Sequence, residues 1–268
     1  MCIMLLKQQI EELKNKTFDE PQKVYSMYLN TDPRDPEQQN GKWKIKLKKS
    51  LQDLAETTKK SDSHEEKNQA KSMIEKVEQE VYDREPDMQR SFVFFGTADE
   101  ELWFSKMLHI PVETEFHWED QPHVEQLEKL EEAYPYTGVV VMQQDSVLAI
   151  ETEAGTLLDK TLYTLDLNTD DWREHEGPQG DDLTQGGAKR DEFNERVKAN
   201  QQRWYKSLAS RLEKKGKKHG WKQIYLVGEK DELERIRPYF QKPIDKMVNK
   251  NILNWNVSHI LAEALEDE

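Results

Sequence analysis

The run Thr184-Gln185-Gly186-Gly187-Ala188-Lys189 sets two adjacent glycines directly ahead of a strongly basic stretch. Adjacent glycines permit positive φ and let the backbone approach a ligand closely. A helix starting behind them offers free N–H donors to a phosphate. Between Lys189 and Lys222 stand twelve cations: Lys189, Arg190, Arg196, Lys198, Arg203, Lys206, Arg211, Lys214, Lys215, Lys217, Lys218 and Lys222. Four acids oppose them, Asp191, Glu192, Glu195 and Glu213, so twelve minus four leaves a local +8 in a chain of formal charge −14. A helix over 188–217 spans about 45 Å. Screening acts over about 8 Å at physiological salt, so distant acids do not cancel that face. A segregated stripe of this kind is an electrostatic footprint for nucleic acid, with a solvated helix face as the alternative reading.

Other residue types offer less. His109, His117 and His123 lie within 15 residues, near Glu113, Glu115, Glu119 and Asp120. No HxH or HExxH spacing joins them, so no metal site is expected. His175, in an acidic segment, is expected at the surface, and Trp172 beside it is a candidate for docking on a partner. No GxSxG elbow and no phosphate-binding glycine loop occur, which argues against a serine hydrolase or a nucleotide enzyme. The lone Cys2 excludes an internal disulfide, a cysteine zinc site and a CxxC redox pair. The cluster from Trp43 through Lys44, Lys46, Lys48 and Lys49 reads as a solvated helix face.

These residues need elements to position them, and 268 residues suffice for one large domain or two ordinary ones. Apolar residues make up 35% and charged residues 34%, the balance of a highly soluble surface. The longest apolar runs, such as Val139 to Met142, fall far short of the roughly 20 residues a spanning helix needs. The opening Met1-Cys2-Ile3-Met4-Leu5-Leu6 has no cation before it, so it does not read as a secretory signal, and a cytoplasmic protein is expected. Helical periodicity predicts helices over 43–60, 65–82, 188–217, 231–240 and 258–265, with shorter ones near Leu6 and Val124. Strands are expected at 24–29, 91–95, 102–104, 112–116, 138–142, 147–152, 157–165, 224–228 and 252–255. The strands at 102–104 and 112–116 are read as antiparallel neighbours of 91–95. From Asn168 to Gly187 acids and glycines mix without periodicity, which predicts a loop of about 20 residues, a length that is usually functional. The fold class is mixed α/β (α+β) in two domains, an N-terminal α/β domain over 1–121 and a second over 122–268.

The run Gly186-Gly187-Ala188-Lys189-Arg190-Asp191-Glu192-Phe193, continuing to Arg203-Trp204-Tyr205, resembles the central domain of archaeal and eukaryotic class I peptide-chain release factors. That domain carries a Gly-Gly-Gln loop followed by a basic helix, and Phe193 and Trp204 fall in its register. The segments Gly138–Glu151 and Tyr225–Gly228 are similar to the same domain. Overall the chain looks closest to the bacterial branch of that superfamily, which is related to the yeast peptidyl-tRNA hydrolase of ribosome quality control. The resemblance covers about 122–268 and is looser before that. It implies a translation factor that acts on peptidyl-tRNA in release, rescue or quality control. Its partners would be the large ribosomal subunit and tRNA, with no cofactor, metal, membrane or DNA. Gln185, Gly186, Gly187 and Ala188 would form the tip at the peptidyl ester, and Lys189, Arg190, Arg196, Lys198, Arg203 and Lys206 would hold RNA phosphates. Hydrolysis in the family rests on positioning and on stabilising developing charge. This chain departs from the pattern at Ala188, where the family has the glutamine. Two further readings therefore stand beside the hydrolase: a binding module that has lost the reaction, and a tRNA-directed nuclease. A codon-reading motif and room for the third, GTPase-recruiting domain are absent from the pattern.

Overall fold

The computed structural model describes residues 6–143, 145–166, 171–176 and 190–266, with the backbone alone at 39, 176, 190–199 and 201. The chain divides into two compact units, Met1–Ala133 with Ala154–Thr156, and Tyr134–Glu153 with Leu157–Glu268.

The first unit contains α1 (Leu6–Lys14), β1 (Val24–Asn30), α2 (Trp43–Lys59), α3 (His64–Arg84), β2 (Ser91–Thr97), β3 (Trp103–Leu108), β4 (Glu115–Glu119) and α4 (Glu125–Ala133). The sheet order is β3-β2-β1-β4, antiparallel throughout. Alternation along β1 and β2 turns Tyr25, Met27, Leu29, Phe92 and Phe94 to one face. There they meet the apolar stripes of α2 (Leu47, Leu51, Leu54) and α3 (Met73, Val77, Val81). Ser63 caps α3 by accepting from the Glu66 N–H at 3.1 Å. The sequence expectation placed the 112–116 segment beside 91–95; instead β4 starts at Glu115 and pairs with β1. The Asn30 N–H donates to the Thr114 side chain at 3.2 Å, so a hydroxyl takes the place of the next ladder carbonyl. The compact units also put α4 with the first unit, past the boundary expected at 121. Leu127 of α4 is fully buried, its N–H reaches Tyr28 Oη, and Lys14 pairs with Glu128 at 2.7 Å.

The second unit contains β5 (Thr137–Gln143), β6 (Ser146–Glu153), β7 (Thr156–Asp166), β8 (Asp171–Glu176), α5 (Arg190–His219), β9 (Gln223–Gly228), α6 (Lys230–Ile236), β10 (Lys246–Asn249) and α7 (Val257–Ala264). Its sheet runs β10-β9-β5-β6-β7-β8. β5, β9 and β10 are mutually parallel neighbours, while β6 and β8 join antiparallel. The continuous run Val139-Val140-Val141-Met142 is buried on both faces, as a central strand demands. The β6–β7 turn puts Ala154 (φ 46°) and Gly155 (φ 70°) in the left-handed region, the two-residue hairpin geometry.

Two expectations are corrected here. The segment expected as a loop from 168 contains β8, which pairs with β7 over Asp171–Glu176. The tail strand is β10, at Lys246–Asn249, whereas Ile252 and Leu253 are apolar because they are buried without pairing.

Two features seat α5 on the sheet. Trp221, which follows the helix, lies between Gly138 of β5 and Gly216 of α5. A Cβ at Gly138 would stand 2.2 Å from the indole and one at Gly216 2.8 Å from it. Glu151 of β6 is fully buried, and its carboxylate accepts from Tyr136 Oη, with Lys215 Nζ and His219 Nδ1 each at 2.9 Å. Burial alone pushes this carboxyl up, but the hydrogen bonds from Tyr136, Lys215 and His219 outweigh it and hold the group below the usual carboxylate range.

Gly138→Ala is expected to overpack the Trp221 site and destabilise the fold by about 3 kcal/mol, read as a lower thermal midpoint by circular dichroism. Glu151→Gln should cost about 3 kcal/mol at pH 7 by stranding the buried Lys215 charge. Because the folded-state value of Glu151 is depressed, its contribution is complete above the unfolded carboxylate value of about 4.3 and fades as pH falls through the lower folded value. Urea denaturation at a series of pH values should therefore show the gap between wild type and variant closing below about pH 4.

Candidate nucleic-acid interface

The periodicity of α5 separates its two sides. Trp204, Leu208 and Leu212 are buried against Val140, Met142, Val147 and Ala149 of the sheet. The Trp172 indole N–H donates to the Trp204 carbonyl at 3.0 Å, which clasps β8 to the middle of the helix. At 100° per residue, Arg203, Lys206, Lys214 and Lys217 fall within about 80° of one another, opposite Leu208 and Leu212. All four are exposed, as are Lys218 and Lys222.

The flank of the helix behaves differently. Arg211 pairs with Asp171 at 2.5 Å. Lys215, with only 12% of its side chain exposed, reaches Glu151, Asp159 and Thr161. Burial pulls its ammonium group down, but the bonds from Glu151 and Asp159 more than reverse this and keep it charged. Lys160, Arg211, Lys214, Lys215 and Lys218, with Asp159 and Glu174, line a cleft of about 470 Å³. Cations outnumber acids on its walls, so it offers a phosphate-sized anion several donors.

Among the residues singled out from the sequence, Arg203 and Lys206 stand on the exposed face. Arg190, Arg196 and Lys198 belong to α5, but their side chains lie outside the described residues. Gln185, Gly186, Gly187, Ala188 and Lys189 also lie outside them. Two aromatic expectations are overturned. Trp172 is 4% exposed in the core rather than presented to a partner, and His175 lies 2.9 Å from the Thr164 hydroxyl, half-buried.

Spacing alone missed one constellation. In the first unit Glu115, His117 and His123 bring ligating atoms within 4.8 Å of one another. His109 stands apart, buried with its Nδ1 2.7 Å from the Gly155 carbonyl, and burial lowers its pKa. A turn after a strand end, at Pro122, was the signal that His117 and His123 could meet. No helix of the described residues is long and apolar enough to cross a membrane.

The family match follows the same division of the chain. Residues 135–266 match the family described as bacterial archaeo-eukaryotic release factor family 5. YocB, an uncharacterized protein of Bacillus subtilis (strain 168), is 34% identical over 259 residues, covering 95% of this chain and 98% of its own. Among solved structures, the archaeal translation termination factor aRF1 is similar at 13% identity with a TM-score of 0.34, over 96% of this chain and 71% of its own. A second archaeal protein is similar at 13% identity with a TM-score of 0.32, over 97% and 72%. With the family match lying on the unit that carries the basic helix, and a full-length relative beside it, this chain belongs to bacterial archaeo-eukaryotic release factor family 5.

Proposed function

We propose that the chain is a ribosome-associated translation factor that engages peptidyl-tRNA on the large subunit in release, rescue or quality control. The observation that carries this reading is the exposed ridge of Arg203, Lys206, Lys214 and Lys217 on α5 in an otherwise acidic chain. From Arg203 to Lys217 that ridge extends about 21 Å, enough to follow several phosphates of one RNA strand. Family membership supports the assignment of the partner as translational RNA rather than another polyanion. In this reading Gln185, Gly186, Gly187 and Ala188 reach the ester between peptide and tRNA, while Lys189, Arg190, Arg196 and Lys198 continue the phosphate contacts toward the acceptor end.

Ala188 favours a second reading, a module that docks without efficient hydrolysis. The backbone N–H at that position persists, whereas the side-chain amide that the family's glutamine brings to the attacking water is missing. Catalysis of ester hydrolysis by positioned donors loses about 10²–10³-fold when one donor is removed.

Co-sedimentation with stalled ribosomes carrying labelled peptidyl-tRNA tests the docking. Binding should weaken linearly in log–log salt plots as counterions are released, and the double variant Arg203→Glu, Lys206→Glu should lower that slope by about 2. No co-sedimentation at moderate salt would overturn the assignment.

Ala188→Gln separates the catalytic readings on the same ribosomes. A gain of peptide release of about a hundredfold over wild type would show a disabled tip in register with the ester. Shortening of the tRNA itself on a denaturing gel would mark the chain as a nuclease.

A further inference from the structure

The first unit holds a second constellation that the translation reading leaves unused. Along β4, Glu115, His117 and Glu119 are two residues apart, so their side chains share one face of the strand. After Pro122 the chain folds back and lays His123 on His117, with ring centroids 3.6 Å apart and planes at 12°. The two edges of this stack differ. Glu115 Oε2 lies 3.6 Å from His117 Nε2 and 3.9 Å from His123 Nε2. Glu125 Oε2 lies 3.3 Å from His123 Nε2. On the opposite edge, Glu119 faces both Nδ1 atoms at 3.7 and 3.8 Å.

Hydrogen bonding does not account for this arrangement. His117 Nε2 is buried and has no hydrogen-bond partner among the described residues. A buried polar atom left unpaired costs about 1–3 kcal/mol. Its separation from Glu115 is long for a hydrogen bond. Donors around a tetrahedral zinc ion, bonded at about 2.0–2.1 Å, sit about 3.3–3.4 Å from each other, close to the Nε2-edge spacings here. Glu115, Glu119 and Glu125 bring three carboxylates to the cluster, and among the described residues the ion pairs within it join them to the two histidines alone.

The cluster is also built rather than incidental. The His123 N–H donates to Ser26 Oγ at 3.0 Å, and Tyr28 Oη donates to the His123 carbonyl at 2.8 Å. Ser26 and Tyr28 are fully buried, and in the β1–β4 ladder they are the partners of His117 and Glu115. Two residues of β1 thereby fix the backbone of all three ligand positions. The side chains of His117 and His123 keep 25% and 26% exposure, which leaves the cluster open to solvent.

We propose that Glu115, His117 and His123 bind a divalent transition-metal ion of the zinc type through one carboxylate oxygen and the two Nε2 atoms. Glu125 supplies the fourth position, and Glu119, whose carboxylate faces both Nδ1 atoms, orients the two rings. At 12° between planes the two Nε2 lone pairs are close to parallel, so binding requires the rings to turn out of their stack until both point at one ion. Imidazole with carboxylate suits zinc and its neighbours, whereas magnesium and calcium prefer all-oxygen sites.

The test uses the full chain, free of any histidine tag and stripped by chelator, titrated calorimetrically with Zn²⁺ and in parallel with Mg²⁺. One Zn²⁺ per chain, a raised thermal midpoint and no response to Mg²⁺ are expected. His123→Gln and Glu125→Gln, both at partly exposed positions, should each weaken Zn²⁺ at least tenfold, Glu119→Gln about tenfold, and the remote His259→Gln not at all. Circular dichroism on each variant checks that the fold is retained. Absence of stoichiometric Zn²⁺ binding, or affinity unchanged in folded His123→Gln, overturns the proposal.

Discussion

A helix that carries so many cations can be stable only if something holds its other side down, and in the second unit that something is apolar contact reinforced by one buried carboxylate. Trp204, Leu208 and Leu212 remove apolar surface from water against β5 and β6. Glu151 then gathers Lys215 and His219 from the last turns of the helix at the same sheet. The division of labour is clear along the helix. Flank cations Arg211 and Lys215 pair with strand carboxylates, whereas the side chains of the outer face are exposed. Like charges repel along that ridge, and the cost is borne by the packing beneath it.

Net charge hides this arrangement. The chain as a whole repels polyanions, yet over its described side chains from Arg203 onward the outer face of α5 carries Arg203, Lys206, Lys214 and Lys217, with Glu213 about 20° outside their sector. Because screening confines each charge to its neighbourhood, a surface of one sign and a total of the other coexist without contradiction. The first unit shows the converse, with acids gathered around a pair of histidines. The two units thus present chemically opposite surfaces on separately built sheets.

Much of this was legible in the sequence where burial is one-sided and long. The stripes of α2, α3 and α5 repeat at helical spacing over many turns, and β5 reads as a central strand from four consecutive apolar residues. Short elements escaped for a physical reason. β8 contributes a single inward side chain, Trp172, set among charged neighbours, so neither period nor composition distinguishes it from a loop. Ile252 and Leu253 imitated a strand because burial and strand pairing select the same residue types. Partnership in the first sheet was hidden because β4 reaches β1 across some ninety residues of chain. The meeting of His117 and His123 depends on a turn and on two buried side chains of β1, information that no local spacing contains. The proposed tip, Gln185 to Ala188, was readable as a motif while its geometry lies outside the described residues.

The indole of Trp221 touches a strand residue and a helix residue that are both glycine for its sake. Gly138, Gly216 and Trp221 therefore form a set whose members cannot drift independently. A relative that keeps the tryptophan must keep both glycines, and one that replaces it with a small side chain is released from both at once. Descent in this lineage should leave the three columns changing together, a signature of one cramped ring rather than of any shared chemistry.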